Sequence, residues 1–243
     1  MGSKEIHNLL ITGISSDVGI EFVESYSDEY NLIMGQYVHM NDGLNRLKDE
    51  LGDRLILVEA DLSNEAGIKT IIDKIAATET IFDSFIHLAS PKAENIQFRK
   101  ESWNNLEEKL TVSVKSVYEI LQAILPDMVK AKYGRVVMML TAYTKGVPPK
   151  FQTSYVTSKY ALLGLMKSLA VEYRPYGICI NGISPDMMDT KFIEDLPHPV
   201  VEQSIKNSTF GRNLTPKDIV PEIKHLLSED AKMISGHNLE IYN

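Results

Sequence analysis

Asn8-Leu9-Leu10-Ile11-Thr12-Gly13-Ile14-Ser15-Ser16-Asp17-Val18-Gly19-Ile20 is the stretch on which the fold turns. An apolar run closes at Thr12, glycines at 13 and 19 flank a turn, and a second apolar segment opens at Val18 with helical spacing. The pattern predicts a buried strand, a tight turn and a helix. Backbone N–H groups at such a helix start can face an anion, Ser15 and Ser16 add hydroxyl donors, and a dinucleotide pyrophosphate fits the turn. Asp17 sits awkwardly there, because its carboxylate lies close to where phosphate charge belongs.

Outward from this turn, short apolar runs alternate with amphipathic segments of helical length to the end of the chain. That alternation predicts a parallel sheet with helices on both faces. Strands are expected near Asn8 to Thr12, Asn31 to Val38, Arg54 to Glu59, Phe82 to Ala89, Gly134 to Thr141, Ile178 to Ser184 and Asn238 to Tyr242. Helices are expected at about Val18 to Ser27, Asp42 to Leu51, Asn64 to Ala77, Trp103 to Ala131, Ser154 to Tyr173 and Pro216 to Ser228. The last has a clear start: Thr215 as cap, Pro216 at the first helical position and Asp218 three residues after the cap. The expected fold class is α/β, a Rossmann-type doubly wound parallel sheet of seven strands, with residues 1–243 as one domain. The irregular segment 186–212 follows a strand's carboxyl end, where ligands bind in open α/β sheets, and is expected to form a substrate lid.

The 243 residues are 44% hydrophobic with a formal net charge of -8, which suits one globular domain with a sizeable core. An acidic balance argues against a nucleic-acid partner, since phosphate neutralisation needs clustered Lys and Arg. The single cysteine, Cys179, lies in the apolar run Gly177-Ile178-Cys179-Ile180 and reads as a small buried hydrophobe of a reducing compartment. Met1-Gly2-Ser3-Lys4 lacks a charged-then-apolar leader pattern, and no apolar stretch approaches membrane-spanning length. The expected location is therefore cytoplasmic, without a membrane partner, and no metal site is expected.

Ser154-Tyr155-Val156-Thr157-Ser158-Lys159 places a phenol and an ammonium four residues apart on a predicted helix. That spacing puts both on one face, roughly 6 Å apart along the axis. A nearby positive charge is expected to lower the phenol's pKa and fit it for proton transfer. By itself the pair is weak evidence, because a half-buried tyrosine beside a solvated lysine is common on helices.

Taken together, these residues resemble the short-chain dehydrogenase/reductase family over nearly the whole chain. The family's Thr-Gly-x-x-x-Gly-x-Gly turn matches Thr12, Gly13 and Gly19, with Asp17 in place of the middle glycine. Its adenine-contacting acid matches Asp61, followed by Leu62, and its Asn-Asn-Ala-Gly element becomes His87-Leu88-Ala89-Ser90. The catalytic Asn aligns with Ser113, the catalytic Ser with Thr141, and Tyr155 and Lys159 match outright. The Pro-Gly element with its downstream Thr becomes Pro185-Asp186 with Thr190. The chain departs from the family at Asp17, His87, Ser113 and Asp186. His87 reads as a core or strand-end histidine and Trp103 as a packing anchor.

The resemblance implies a nicotinamide-dependent oxidoreductase interconverting a ketone and a secondary alcohol. Its lead substrate is a 3-oxoacyl thioester on acyl carrier protein. The alternatives are a polyol, sugar or other secondary-alcohol dehydrogenase, or a non-catalytic partner subunit of the same fold. The implied catalytic set is Ser113, Thr141, Tyr155 and Lys159. The implied cofactor set is Gly13, Ser15, Ser16, Val18, Gly19, Asp61, Leu62, Ala89, Tyr155, Lys159, Pro185 and Thr190. NADP(H) is expected over NAD(H), because Met34-Gly35-Gln36-Tyr37-Val38 ends without an Asp or Glu for a free ribose 2′-hydroxyl, leaving His39 and backbone groups to meet a 2′-phosphate. Lys132 matches a basic carrier-docking position; Tyr176 stands at a second, with Arg174 close by. The family also implies a homo-oligomer, a dimer or tetramer, formed across the helices that carry Ser113 and Tyr155.

Overall fold

In the computed structural model, residues 7–194, 196 and 198–242 are described; residues 1–6, Asp195 and Pro197 of the lid segment, and Asn243 lie outside them. Seven strands form one sheet: β1 His7–Thr12, β2 Tyr30–Tyr37, β3 Leu55–Glu59, β4 Ser84–His87, β5 Gly134–Met139, β6 Ile178–Pro185 and β7 Asn238–Ile241. All pair in parallel, in the order β3-β2-β1-β4-β5-β6-β7. The order reverses direction between β1 and β4, so the crevice at the carboxyl ends of these strands is the ligand position of a doubly wound sheet.

The helices between strands are α1 Asp17–Tyr26, α2 Asp42–Leu51, α3 Glu65–Ala77, α4 Trp103–Leu110, α5 Ser116–Ala131, α6 Thr153–Tyr173, α7 His198–Asn207 and α8 Pro216–Leu227. Two cores separate along the sheet because strand side chains alternate faces. Leu10, Phe85 and Met138 pack with Ile71 of α3, Ile120 of α5 and Leu162 of α6. Leu9, Ile11 and Ile86 pack on the other face with Phe22 of α1, Leu47 of α2 and Ile223 of α8. Side-chain caps fix several helix starts: Ser16 accepts from Gly19 N at 3.1 Å, Asn41 from Leu44 N at 3.0 Å and Asn64 from Gly67 N at 2.9 Å. At α8 the expected start holds, with the Thr215 backbone N–H donating to Asp218 at 2.7 Å.

Three sequence expectations need correction. The helix expected over Trp103 to Ala131 is interrupted by a π-helical turn at Thr111–Lys115 that carries Ser113. The segment 186–212 contains α7, which buries none of its side chains and so leaves no strong apolar stripe in the sequence. Trp103 is 68% exposed at the start of α4, so it does not anchor the core.

Candidate active site

The glycine turn is built by the strands behind it. Gly13 takes φ +70, and a Cβ there would lie 2.7 Å from the Ala89 nitrogen, so the β1 turn and the chain after β4 meet backbone to backbone. A Cβ at Gly19 would meet the Ile14 carbonyl oxygen at 2.5 Å, which holds α1 tight against the turn. Gln36, buried in β2, braces the turn against the chain after β3: its Oε1 accepts from Gly13 N at 2.9 Å and its Nε2 donates to the Ala60 carbonyl at 2.6 Å. No functional role follows for Gln36 from the sequence alone. The available signal is a polar residue inside an otherwise apolar strand.

The turn opens into a cleft of about 800 Å³ at the carboxyl end of the sheet. Of the residues expected at the site, Ser15, Ser16, Val18, Thr141, Tyr155, Lys159, Pro185 and Thr190 line it. Gly13, Gly19, Leu62, Ala89, Asp61 and Ser113 do not. The glycines and Ala89 form the packed floor, and Leu62 is in the core at 2% exposure. Asp61 turns its carboxylate back to accept from Ser63 N at 2.9 Å. His39 reaches the rim, as do Asp186, Met187, Met188 and Phe192 from the far side, none of the last three being singled out by sequence.

Tyr155 and Lys159 rise from the first turns of α6, 8% and 1% exposed. The Tyr155 ring stands edge-on to Tyr143 at 6.5 Å and tilted against Phe192 at 6.1 Å. The Lys159 ammonium lies 5.7 Å from the Tyr155 ring centroid and donates to the Met139 carbonyl at 2.9 Å. Burial raises the Tyr155 pKa above the ordinary phenol value, and a hydrogen bond from the Thr141 hydroxyl pulls only partly against it. The depression expected from Lys159 is not found here: burial, with the neighbouring Tyr143, dominates and the phenol is raised rather than lowered. Lys159 itself is pushed down to about 8 by burial.

Asp17 is accommodated in a way the sequence does not reveal. Its carboxylate accepts from the Lys191 backbone N–H at 2.8 Å, tying the start of α1 to the lid segment across the cleft. Asp186, at the other unusual position, accepts from Met187 N at 2.9 Å. Ser113 is 0% exposed and its hydroxyl has no partner among the described residues. His87 is likewise 0% exposed, as expected for a core histidine, with Nδ1 bonded to Thr12 Oγ1 at 2.7 Å. Lys132 lies away from the cleft, at the amino end of β5; a Cβ on Gly177, just before β6, would touch the Lys132 carbonyl at 2.4 Å, so Lys132, Arg174 and Tyr176 share that end. Among the described residues no group of metal-ligating side chains forms, and no helix is long and apolar enough to cross a membrane.

A glycine turn at the switch point of a doubly wound sheet, facing a buried Tyr-Lys pair with a threonine hydroxyl on the phenol, defines a nicotinamide-dependent short-chain oxidoreductase. The family model described as Enoyl-(Acyl carrier protein) reductase matches residues 18–241, and the chain belongs to this family of short-chain dehydrogenases/reductases. Oxidoreductase UcpA of Salmonella typhimurium is 29% identical, the match covering 97% of this chain and 93% of that protein. The 3-oxoacyl-acyl-carrier-protein reductase FabG of Escherichia coli is 24% identical over 96% and 94% of the two chains. The same fold is seen in the NADP-bound 3-oxoacyl (acyl-carrier-protein) reductase from Agrobacterium tumefaciens, with a TM-score of 0.86, 23% identity, and coverage of 99% of this chain and 96% of that one. The 4-hydroxyisoleucine dehydrogenase complexed with NADH aligns with a TM-score of 0.88, 22% identity and 97% of each chain covered.

Proposed function

We propose that the protein is a cytoplasmic, NADPH-dependent ketoreductase that reduces a 3-oxoacyl thioester to the 3-hydroxyacyl thioester, working as a homo-oligomer. The observation that carries the reaction type is the buried Tyr155 hydroxyl, hydrogen-bonded by Thr141 and lining a cleft of about 800 Å³ together with Lys159. A donor pair of that kind serves an oxygen that gains charge in the transition state, as a ketone oxygen does.

The residues present fit a dinucleotide. The backbone cradle at Gly13 and Gly19 leaves no space for a side chain, Ser15, Ser16 and Val18 face the cleft, and Lys159, Pro185 and Thr190 stand at its inner end. The bound nicotinamide supplies the hydride. Tyr155 gives its proton to the substrate oxygen, Thr141 hydrogen-bonds that oxygen, and Lys159 holds positive charge behind the phenol as negative charge develops on it. Met188, Phe192 and Ile193 cover the cleft and keep water from the reacting oxygen. Lys132 is at the opposite end of the sheet, ~20 Å away for a six-residue strand.

The test is loss of NADPH absorbance with acetoacetyl thioester, run beside crotonyl thioester, whose C=C bond is the other reducible group suggested by the family description. Turnover of the ketone is expected. Turnover of crotonyl thioester alone, or of neither compound nor any polyol, would reject the proposal.

A further inference from the structure

Asp186 puts a carboxylate directly after β6, on the wall of the cleft, at a position where the resembled family carries glycine. Its backbone is fixed from the sheet. Pro185 pairs with Ile241 of β7, and Asp186 N donates to the Ile241 carbonyl at 2.8 Å. On the other side β5 ends level with β6, Leu140 N donating to the Ile183 carbonyl at 2.8 Å, and Thr141 follows. Asp186 and Thr141 therefore leave the sheet at the same end, and with Tyr143, Tyr155 and Lys159 they line one cavity.

The Asp186 side chain is half-buried, one oxygen accepts from Met187 N at 2.9 Å, and among the described residues it forms no ion pair. The buried cation of this chamber, Lys159, donates to the Met139 carbonyl at 2.9 Å instead. Of the other carboxylates on the cleft, Asp17 is taken by Lys191 N and Glu194 by Lys92. The charge of Asp186 is felt at Tyr143: burial raises that phenol above its ordinary value, and the carboxylate adds to the rise. Tyr143 in turn stands edge-on to Tyr155, ring centroids 6.5 Å apart.

Hydride transfer restricts what can stand beside Tyr155. The carbon that exchanges hydride is bonded to the oxygen that Tyr155 serves, so the nicotinamide ring has to lie against that carbon, reacting atoms ~3–3.5 Å apart, in the chamber that Asp186 and Tyr143 wall. The ring is cationic in the oxidised cofactor and neutral in the reduced one. A carboxylate without a counter-ion, in a cleft less polarisable than water, attracts the first form and not the second.

We propose that Asp186 selects the redox state of the cofactor by charge, holding the oxidised nicotinamide more tightly than the reduced one. A glycine at this position carries no such charge. The balance between the two bound forms is thereby moved toward the oxidised cofactor. This property belongs to the cofactor site and does not rest on which carbonyl compound is the substrate.

Binding without substrate tests it, so a failure to turn over any thioester leaves the outcome intact. Fluorescence or calorimetric titration gives Kd for NADP⁺ and NADPH, and again for NAD⁺ and NADH, because the nicotinamide is common to both pairs. Asp186→Asn keeps an acceptor for Met187 N and removes the charge. Its affinity for the oxidised form is expected to fall roughly three- to tenfold, with the reduced form changed less than about twofold, the scale of one unit charge at a half-exposed site. Asp186→Gly should match Asp186→Asn, and Asp186→Glu, which retains the charge, should keep the wild-type ratio of the two affinities. An unchanged ratio in Asp186→Asn, or equal weakening of both forms, would overturn the proposal, as would a wild-type protein that binds neither form. If Asp186→Asn does not fold, the ratio in Asp186→Gly set against that in Asp186→Glu decides in the same way.

Discussion

Along α6, Tyr155 and Lys159 are buried and Leu162 and Met166 below them are core, whereas the segment facing them from Asp186 onward is half-buried or exposed. That facing segment is tied back by a few polar contacts: Asp17 to Lys191 N at 2.8 Å, Asn213 Nδ2 to Asp189 at 2.8 Å, and an exposed Lys92–Glu194 pair at 3.4 Å. One wall of the cleft is set by hydrophobic packing and the other by surface hydrogen bonds. Packing on the α6 side fixes Tyr155, and desolvation there raises its pKa. With few buried apolar contacts, the opposite wall is expected to open at a small fraction of the global stability, as the lid proposed for 186–212 requires.

The largest expected effect lies on the packed wall. Tyr155→Phe keeps the ring between Tyr143 and Phe192 and removes only the oxygen that Thr141 bonds. Turnover of acetoacetyl thioester should fall by roughly 10² to 10⁴, the range for loss of a general acid, with thermal unfolding and cofactor titration little changed. Survival of wild-type turnover would move the acid elsewhere and dissolve the contrast between the walls.

Next in size is the cost of burying Lys159. Its pKa falls from 10.5 to about 8 because burial disfavours the charge. Between those values the unfolded chain binds more protons than the folded one, so this group makes stability rise with pH over that window. Below about 8 its penalty is present in full, roughly 3 kcal/mol at ~1.4 kcal/mol per unit. Lys159→Met removes the penalty at every pH. Its stability relative to wild type in urea melts should therefore decline by roughly 3 kcal/mol as pH rises from about 7 to about 10.5. A difference independent of pH would mean that the ammonium is better solvated than its burial implies.

The packed wall was also the legible one. Apolar runs such as Leu9-Leu10-Ile11 and Val136-Val137-Met138 are 0% exposed, and all seven strands fall where those runs predict. Tyr155 and Lys159 follow from helical spacing once α6 is placed. What escaped the sequence depends on geometry that periodicity does not encode. The π-helical turn at Ser113 changes hydrogen-bond register without changing the apolar pattern, and α7 has no buried face to mark it. Gln36 and Asp17 owe their roles to partners 23 and 174 residues away, and neither pairing leaves a local signature. Trp103 misled because large aromatic side chains usually bury and this one is 68% exposed.

On the loosely held wall a smaller effect is expected. Asp17→Ala removes the acceptor for Lys191 N, a charge-assisted bond at a partly exposed site. Opening of the 186–212 segment should become roughly three- to tenfold more frequent, about the value of one such bond, read as faster cleavage there by a dilute protease while global unfolding changes little. Equal cleavage rates would show that this wall is held by something other than the Asp17 contact.

The smallest effect concerns the far rim, where the cofactor's ribose end would lie. β2 ends at Tyr37, and Val38 and His39 are exposed beyond it, with His39 at the edge of the cleft. No carboxylate stands on that strand end to claim a 2′-hydroxyl or repel a 2′-phosphate, and no Arg or Lys stands there to grip one. Gln36, the polar residue closest to that end, is turned inward to Gly13 and Ala60 and is not free to help. If His39 donates to the 2′-phosphate, His39→Ala should weaken NADPH binding about three- to tenfold in a fluorescence titration and leave NADH unchanged, one exposed hydrogen bond to a charged group being the whole difference. Equal weakening of both cofactors would place His39 against the adenine. Tighter NADH than NADPH binding in the wild type would reverse the cofactor assignment, and with it the view that the outer rim, unlike the α6 wall, selects its ligand by a single exposed contact.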